Sequence, residues 1–276
     1  MNIFGKYYIF NNDIKDSREF NDNIIKGEKN IYEVLKVKNS VPLLLEEHIK
    51  RLKSTSNLTN LKIWLKESFI EDSIKKLIKK NKVEEGSLKF ILNFEEKNFI
   101  CYFEETIFPN KEDFKEGIST ALYNEERENP NAKVLKLDFR KSLDKFIKDK
   151  NIFEAILVDR NGFITEGSKS NIFMVKDHKL ITTPSKAVLP GITRKQVLDI
   201  CNELNISVIE KYIGSEELEE IDGIFISSTP FDILPIKTVD DLKFKSSKNP
   251  LIISIMDKYN KKIYEYIKDK KDKKDN

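Results

Sequence analysis

The sequence predicts an α+β fold in two domains, and three observations lead there. Strand-like and helix-like patterns mix over roughly the first 105 residues without strict βαβ alternation. The polar stretch NEERENPNA, at 124–132, contains Asn-Pro, a turn or linker signal. It divides a smaller domain over 1–123 from a larger one over 124–276. Beyond one helical segment, the larger domain changes to period-two patterning broken by turn signals, the mark of hairpins.

The elements follow in order. IFGKYYIF at 3–10 and IYEVLKV at 31–37 are rich in aromatic and β-branched residues and predict strands. LLLEEHIKRLKSTS at 43–56 predicts a helix with Leu44, Leu45, His48 and Leu52 on one side. Helical patterning returns over 61–82, and SLKFILNF and NFICYFEET then predict two antiparallel strands. Over 135–151, apolar pairs at i,i+3 and i,i+4 (Leu137, Leu143, Phe146, Ile147) predict a helix. EAILVD and FITEG flank Asn161-Gly162, which predicts a hairpin closed by a type I′ turn. SNIFMV, KDHK and LITTP predict a second hairpin. LPGITRKQVLDICNELN predicts a helix, SVIEKYI a strand, GSEELEEIDG a short helix and GIFISSTPFDILPI a strand pair. The end, from Leu251, predicts an amphipathic helix fading into a solvated, frayed, charged tail.

Composition narrows the function. The chain is 39% hydrophobic and 34% charged, far from a disordered profile. Its net charge is only +3, so the surface lacks the basic excess of a nucleic-acid footprint. Cys101 and Cys201 form neither a CxxC pair nor a disulfide framework, which predicts a reducing, cytoplasmic setting. His48 and His178 lack companions at metal-ligand spacing, so no metal is expected. No apolar run is long enough to span a bilayer, and no membrane partner is expected.

Four stretches carry chemistry. In VLPGITRKQV, Pro190-Gly191 ends a loop, and Ile192 and Thr193 open a helix whose first N–H groups make an anion site. In FISSTP, a strand ending in Ser227, Ser228 and Thr229 presents several donors in a row. Arg51, inside the 43–56 helix, offers a planar fork suited to a phosphate. FITEGSKSNIFMV adds Glu166, a carboxylate between a β-rich run and a Gly-Ser turn. A buried carboxylate needs a cationic partner, and a protonated heteroaromatic nitrogen is one. A phosphate cradle plus a carboxylate for a ring nitrogen describes pyridoxal 5'-phosphate (PLP), which also requires one lysine as its covalent tether.

TEGSKSN (165–171), LPGITR (189–194) and SST (227–229), with NIYEVLKV and EEHIKRL in the first 52 residues, resemble the signature blocks of the class IV aminotransferases. These are fold type IV PLP proteins: branched-chain aminotransferases, D-amino acid aminotransferases and aminodeoxychorismate lyases. The resemblance covers nearly the whole chain and implies a cofactor in an interdomain cleft and a homodimer. It assigns Arg51, Ile192, Thr193, Ser228 and Thr229 to the phosphate, Glu166 to the pyridine nitrogen, Ser170 and Asn171 to the turn that carries Glu166, and Tyr32 to the substrate side.

The tethering lysine has two readings. Lys141, in KSLD, echoes a family form, whereas Lys133, in PNAKVLK, stands 21 residues before Glu154 of EAIL. That spacing fits the family's intervening helix, so Lys133 is the choice and Lys141 the runner-up. Lys136 stands where the family usually has Asn. The strand near Asn93 lacks the arginine that helps D-amino acid aminotransferases hold a substrate carboxylate. The intact TEGSKSN block favours a transaminase acting on branched-chain or D-amino acids and a 2-keto acid over a lyase releasing pyruvate, while the departures at Lys136 and near Asn93 give weight to a lapsed binding protein.

Overall fold

The computed structural model describes residues 3–275, with side chains through 273. The chain divides into two compact units. Residues 1–107, 132–136 and 263–276 form one, and 108–131 with 137–262 form the other. The boundary expected at 123/124 falls in the second unit, at the last residue of a strand.

In the first unit, β1 (Ile3–Phe10), β2 (Asp13–Asp16), β3 (Asn30–Lys38), β4 (Val41–Pro42), β5 (Glu85–Asn93) and β6 (Asn98–Glu104) form one sheet in the order β2-β1-β6-β5-β3-β4. Every pairing in it is antiparallel. Two helices, α1 (Leu45–Leu58) and α2 (Glu67–Asn81), close the core with this sheet: Leu35, Leu88, Phe90 and Phe103 cluster with Ile49, Leu52, Ile74 and Leu77. The helical pattern expected from 61 begins only at Glu67. Residues 61–66 are non-helical, and Ile63, Trp64 and Leu65 pack onto the core, Trp64 meeting Phe94 edge-on at 5.0 Å.

Residues 132–136 join this unit by backbone pairing. Val134 bridges to Ile31, the Tyr32 amide donates to the Lys133 carbonyl at 3.2 Å, and the Leu135 amide donates to the Asn30 carbonyl at 2.9 Å.

The second unit contains α3 (Lys111–Glu116), β7 (Ile118–Asn124), α4 (Leu137–Lys150), β8 (Glu154–Val158), β9 (Phe163–Gly167), β10 (Asn171–Lys176), β11 (Lys179–Thr182), α5 (Ile192–Glu203), β12 (Val208–Glu210), β13 (Ile213–Gly214), β14 (Gly223–Ser228), β15 (Asp232–Val239) and β16 (Leu242–Lys243). Its sheet runs β12-β11-β10-β14-β15-β7-β8-β9-β13, with β16 beside β15. Ile156, Ile164, Ile172, Ile226 and Leu234 fill the core on it, and Phe173 stacks on Phe225 at 4.9 Å.

Both expected hairpins form, but the turn of the first differs from expectation. At the first, Gly162 has φ 83 while Asn161 is not left-handed, so the turn is not type I′. The Asp159 carboxylate accepts from the Asn161 and Phe163 amides at 2.9 Å each and holds a right-handed turn that Gly162 ends. At the second, Asp177 (φ 49) and His178 (φ 58) are both left-handed, which is the type I′ signature without a glycine.

The last helix, α6 (Pro250–Asp275), continues through the charged stretch in which a frayed tail was expected, and Asn276 lies outside the described residues. Tyr266 donates to the Glu46 carboxylate at 2.9 Å, and Lys270 pairs with the same group at the start of α1. No described helix is long and apolar enough to cross a membrane.

Candidate active site

Within the first unit, α1 turns one face toward β3. His48, Arg51 and Thr55 lie on it at helical spacing, and all three are buried. Glu33 answers from β3. Arg51 grips it as a fork, Nε to Oε1 at 2.9 Å and Nη2 to Oε2 at 2.6 Å. His48 Nδ1 lies 2.7 Å from Glu33 Oε2. Burial would push the Glu33 carboxyl up, but the Arg51 charge and hydrogen bonds, with His48, hold it at about 2. Burial pushes the His48 imidazole down despite the pull of Glu33, so His48 is neutral near pH 7 and donates its Nδ1 proton to Glu33. Arg51, expected to meet a phosphate, therefore has a buried acid as its partner, with Nη1 outside the fork.

One turn further along α1, Thr55 Oγ1 accepts the Lys133 amide at 3.3 Å. Lys133 is half-buried, and its amine stands over the Tyr32 ring, 4.6 Å from the centroid. Lys141 is exposed on α4, with its amine 3.3 Å from Asp138 Oδ1.

Within the second unit, β9 ends at Glu166-Gly167 and a tight turn leads to β10. The Gly167 amide donates to the Ser170 carbonyl at 2.7 Å. A Cβ on Gly167 would stand 2.1 Å from Ser170 Oγ, so a side chain there would displace the Ser170 hydroxyl. Glu166 is 3% exposed. Its Oε2 accepts the Leu189 amide at 3.2 Å and lies 3.5 Å from Asn171 Nδ2, which also donates to the Leu189 carbonyl at 2.9 Å. A Cβ on Gly191 would stand 2.0 Å from Asn171 Oδ1. The glycines of the two motif blocks thus permit the packing that fixes the acid.

Glu166 has a cationic partner that sequence reasoning missed. Arg127 Nε lies 2.7 Å from Glu166 Oε1, an ion pair in which the N–H does not point along the contact. Arg127 Nη2 donates to the Ser168 carbonyl at 2.9 Å, and its guanidinium lies over the Phe139 ring at 5.5 Å. Arg127 sits among acids in a stretch that reads as linker, so no local signal distinguishes it. Behind the turn, Ser168 Oγ donates to Glu154 Oε1 at 2.6 Å and the Lys169 amide to the same oxygen at 2.8 Å. Burial nonetheless raises the Glu154 carboxyl.

The α5 helix begins at Ile192 and Thr193, both buried, after Gly191 at the cap position with no side-chain cap. Its first N–H groups therefore lack a capping side chain, as an anion site requires. Thr193 hydrogen-bonds Tyr259, which donates to Asp232 at 3.2 Å. On β14, Ser227 lies opposite Asn171, its buried hydroxyl without a partner. Ser228 Oγ accepts the Phe231 amide at 3.4 Å, and Thr229 follows, half-buried. The Ser170 hydroxyl is also buried and unpartnered.

The sequence profile described as "Amino-transferase class IV" matches residues 30–239. The chain belongs to the class IV aminotransferase family. A D-alanine aminotransferase from Bacillus licheniformis is 27% identical over 236 residues, 76% of this chain and 78% of that protein. Among solved structures, the branched-chain amino acid aminotransferase of Escherichia coli superposes with a TM-score of 0.78 at 21% identity, covering 91% of this chain and 92% of that one. The branched-chain amino acid aminotransferase of Thermobaculum terrenum, solved in its PLP form, gives a TM-score of 0.77 at 21% identity and covers 94% of both chains. The α+β fold in two units is therefore the fold of this family, and the chain is an enzyme of it.

Proposed function

We propose that this class IV enzyme binds PLP and transfers an amino group between an amino acid, of branched-chain or D type, and a 2-keto acid. The observation that carries the reading is Glu166: a buried carboxylate on a glycine-shaped turn, faced by Arg127. The donor set suits the cofactor. Arg51, the open first turn of α5 at Ile192 and Thr193, and the hydroxyls of Ser228 and Thr229 are groups that hold a phosphate. The orphaned hydroxyl of Ser227 suits the same role, although no motif pointed to it. In this reading Ser170 and Asn171 shape the Glu166 turn, Glu166 holds a ring-nitrogen proton, and the half-buried Lys133 is the tether. Lys141, exposed and paired with Asp138, suits that role less well.

PLP, when bound, supplies a carbonyl that condenses with amines and a ring that withdraws electrons from the substrate's α-carbon. The chain's own groups do the rest. Lys133, released from its tether by the incoming amine, takes the α-proton and returns it. Glu166 keeps the ring nitrogen protonated, which makes the withdrawal effective. Arg127 faces Glu166 Oε1 as its cationic partner, and Tyr32 lines the substrate side next to Lys133. An amino acid in and a keto acid out, then the reverse, gives ping-pong kinetics. The enzyme acts as a homodimer in the cytoplasm in this reading.

A panel of D- and L-amino acids, each with pyruvate or 2-oxoglutarate, tests it. Amino-group transfer that requires the keto acid supports the proposal. Pyruvate released from aminodeoxychorismate without any keto-acid requirement would select the lyase. Protein that stays colourless with added PLP would select the lapsed binding protein.

A further inference from the structure

The buried trio of Glu33, His48 and Arg51 has one outlet. Glu33 and His48 are both 0% exposed, whereas Arg51 keeps 8%. Glu33 occupies the Nε–Nη2 edge of the guanidinium, and Nη1 has no hydrogen-bond partner among the described residues. His48 sets its Nδ1 against Glu33 Oε2, and its buried Nε2 has no partner among the described residues. The imidazole thus serves no group but the acid. The same face of α1 carries Thr55, which accepts the Lys133 amide. One helix therefore holds both Arg51 and the segment of the proposed tether.

We propose that Glu33 is the positioning residue of the cofactor's phosphate site. It acts through Arg51, with His48 as its brace, and makes the chain select phosphorylated pyridoxal over pyridoxal itself. The inference rests on the PLP reading, which assigns Arg51 to the phosphate. A fully buried ion pair stabilises a fold little more than apolar side chains of the same volume. Its use here is geometric. A free arginine samples many rotamers, and fixing them when an anion arrives costs affinity. Two charge-assisted bonds from Arg51 to Glu33 fix the guanidinium plane in advance and leave a single edge, at Nη1, for a further anion. The acid also draws on the arginine's charge, so the arrangement gives up strength of attraction for direction. A lysine could not replace Arg51, because a point charge has no second edge to offer.

The test measures Kd for PLP, for pyridoxal and for inorganic phosphate by calorimetric titration of the cofactor-free full chain. Wild type should bind PLP more tightly than pyridoxal. Glu33→Gln should weaken PLP and inorganic phosphate about tenfold or more, the loss of roughly one hydrogen bond to a charged group, and leave pyridoxal within about twofold. A merely structural role would weaken PLP and pyridoxal alike, and that result would overturn the assignment. So would an unchanged or tighter Kd for PLP in Glu33→Gln, which would make the acid a bystander or a competitor. Arg51→Lys should lose most of the same preference for PLP, because it keeps the charge and loses the fork. Should Glu33→Gln fail to fold, wild-type affinity for PLP and phosphate in Arg51→Lys would overturn the proposal alone. Wild type that takes up neither PLP nor pyridoxal would refute the PLP reading separately, and inorganic phosphate would still judge Glu33 by the same comparison. Wild type with no affinity for phosphate either would overturn both.

Discussion

Arg127 Nε and Glu166 Oε1 stand 2.7 Å apart, with Glu166 almost fully buried and Arg127 one-fifth exposed. The acid is thus provided with a cation by its own unit. Removing one partner of such a pair leaves a buried charge without compensation. Arg127→Met should destabilise the fold by about 3 kcal/mol, near the low end for broken buried pairs because Arg127 keeps some contact with water. Urea unfolding measures this. The double variant Arg127→Met/Glu166→Gln should lose less than the two single changes together, by about 1 kcal/mol or more. Additive losses would show that the pair is not coupled.

Glu166→Gln should leave PLP bound and slow turnover by roughly a hundredfold or more, since a neutral amide cannot hold the ring nitrogen protonated. The measurement is kcat alongside the cofactor absorbance. Near-normal kcat would refute the role given to Glu166.

Lys133→Ala should abolish the borohydride-reducible absorbance of PLP-loaded protein, and Lys141→Ala should retain it. The reverse pattern would transfer the tether to Lys141.

The buried trio on α1 and β3 makes a pH prediction. Glu33 titrates at about 2 in the folded chain, against about 4.3 unfolded. The sign is that of a depressed carboxyl: its contribution to stability is complete above the unfolded value and fades as pH falls through about 2. His48 is also lowered, mainly by burial, so protonation near and below its unfolded value of about 6.5 favours the unfolded chain. Stability should therefore begin to fall below about pH 6.5, and His48→Gln should flatten that first decline. Glu33→Gln should lose stability chiefly above about pH 4, and its deficit should shrink toward pH 2. Urea midpoints across pH 2–8 check both.

Gly191→Ala should destabilise even though its φ of −64 suits alanine. The new methyl would meet Asn171 Oδ1 at 2.0 Å, and Asn171 is held by its bonds at Leu189 and Glu166. Overpacking of this kind costs about 1–3 kcal/mol. Adding Asn171→Ala should remove the clash, so the double variant should lose less than the sum.

Much of this was legible from residue order alone. The strands at 3–10 and 31–37, both hairpins and the helices after 43, 135 and 189 follow from period and turn chemistry, and the motif blocks located Glu166 and the opening of α5. What escaped needs contacts that spacing does not encode. Asp159 overrides the Asn161-Gly162 turn preference by bonding two amides downstream, while the two-residue Asp177-His178 loop is left-handed because its strands pair right up to it. Glu33 could have been suspected: Ile31, Leu35 and Val37 share its strand parity, so a carboxylate there must face the core. Arg127 gave no such sign, lying in a polar segment. The division into units was equally hidden, because 132–136 joins a strand a hundred residues earlier.

That last pairing has an evolutionary corollary. Because Val134 is stitched to Ile31, the orientation of the Lys133 amine depends on sheet parity and not on how long the neighbouring connections are. Insertions between 124 and 131 can accumulate without disturbing it. A one-residue slip of this segment against β3 would turn the amine to the opposite side.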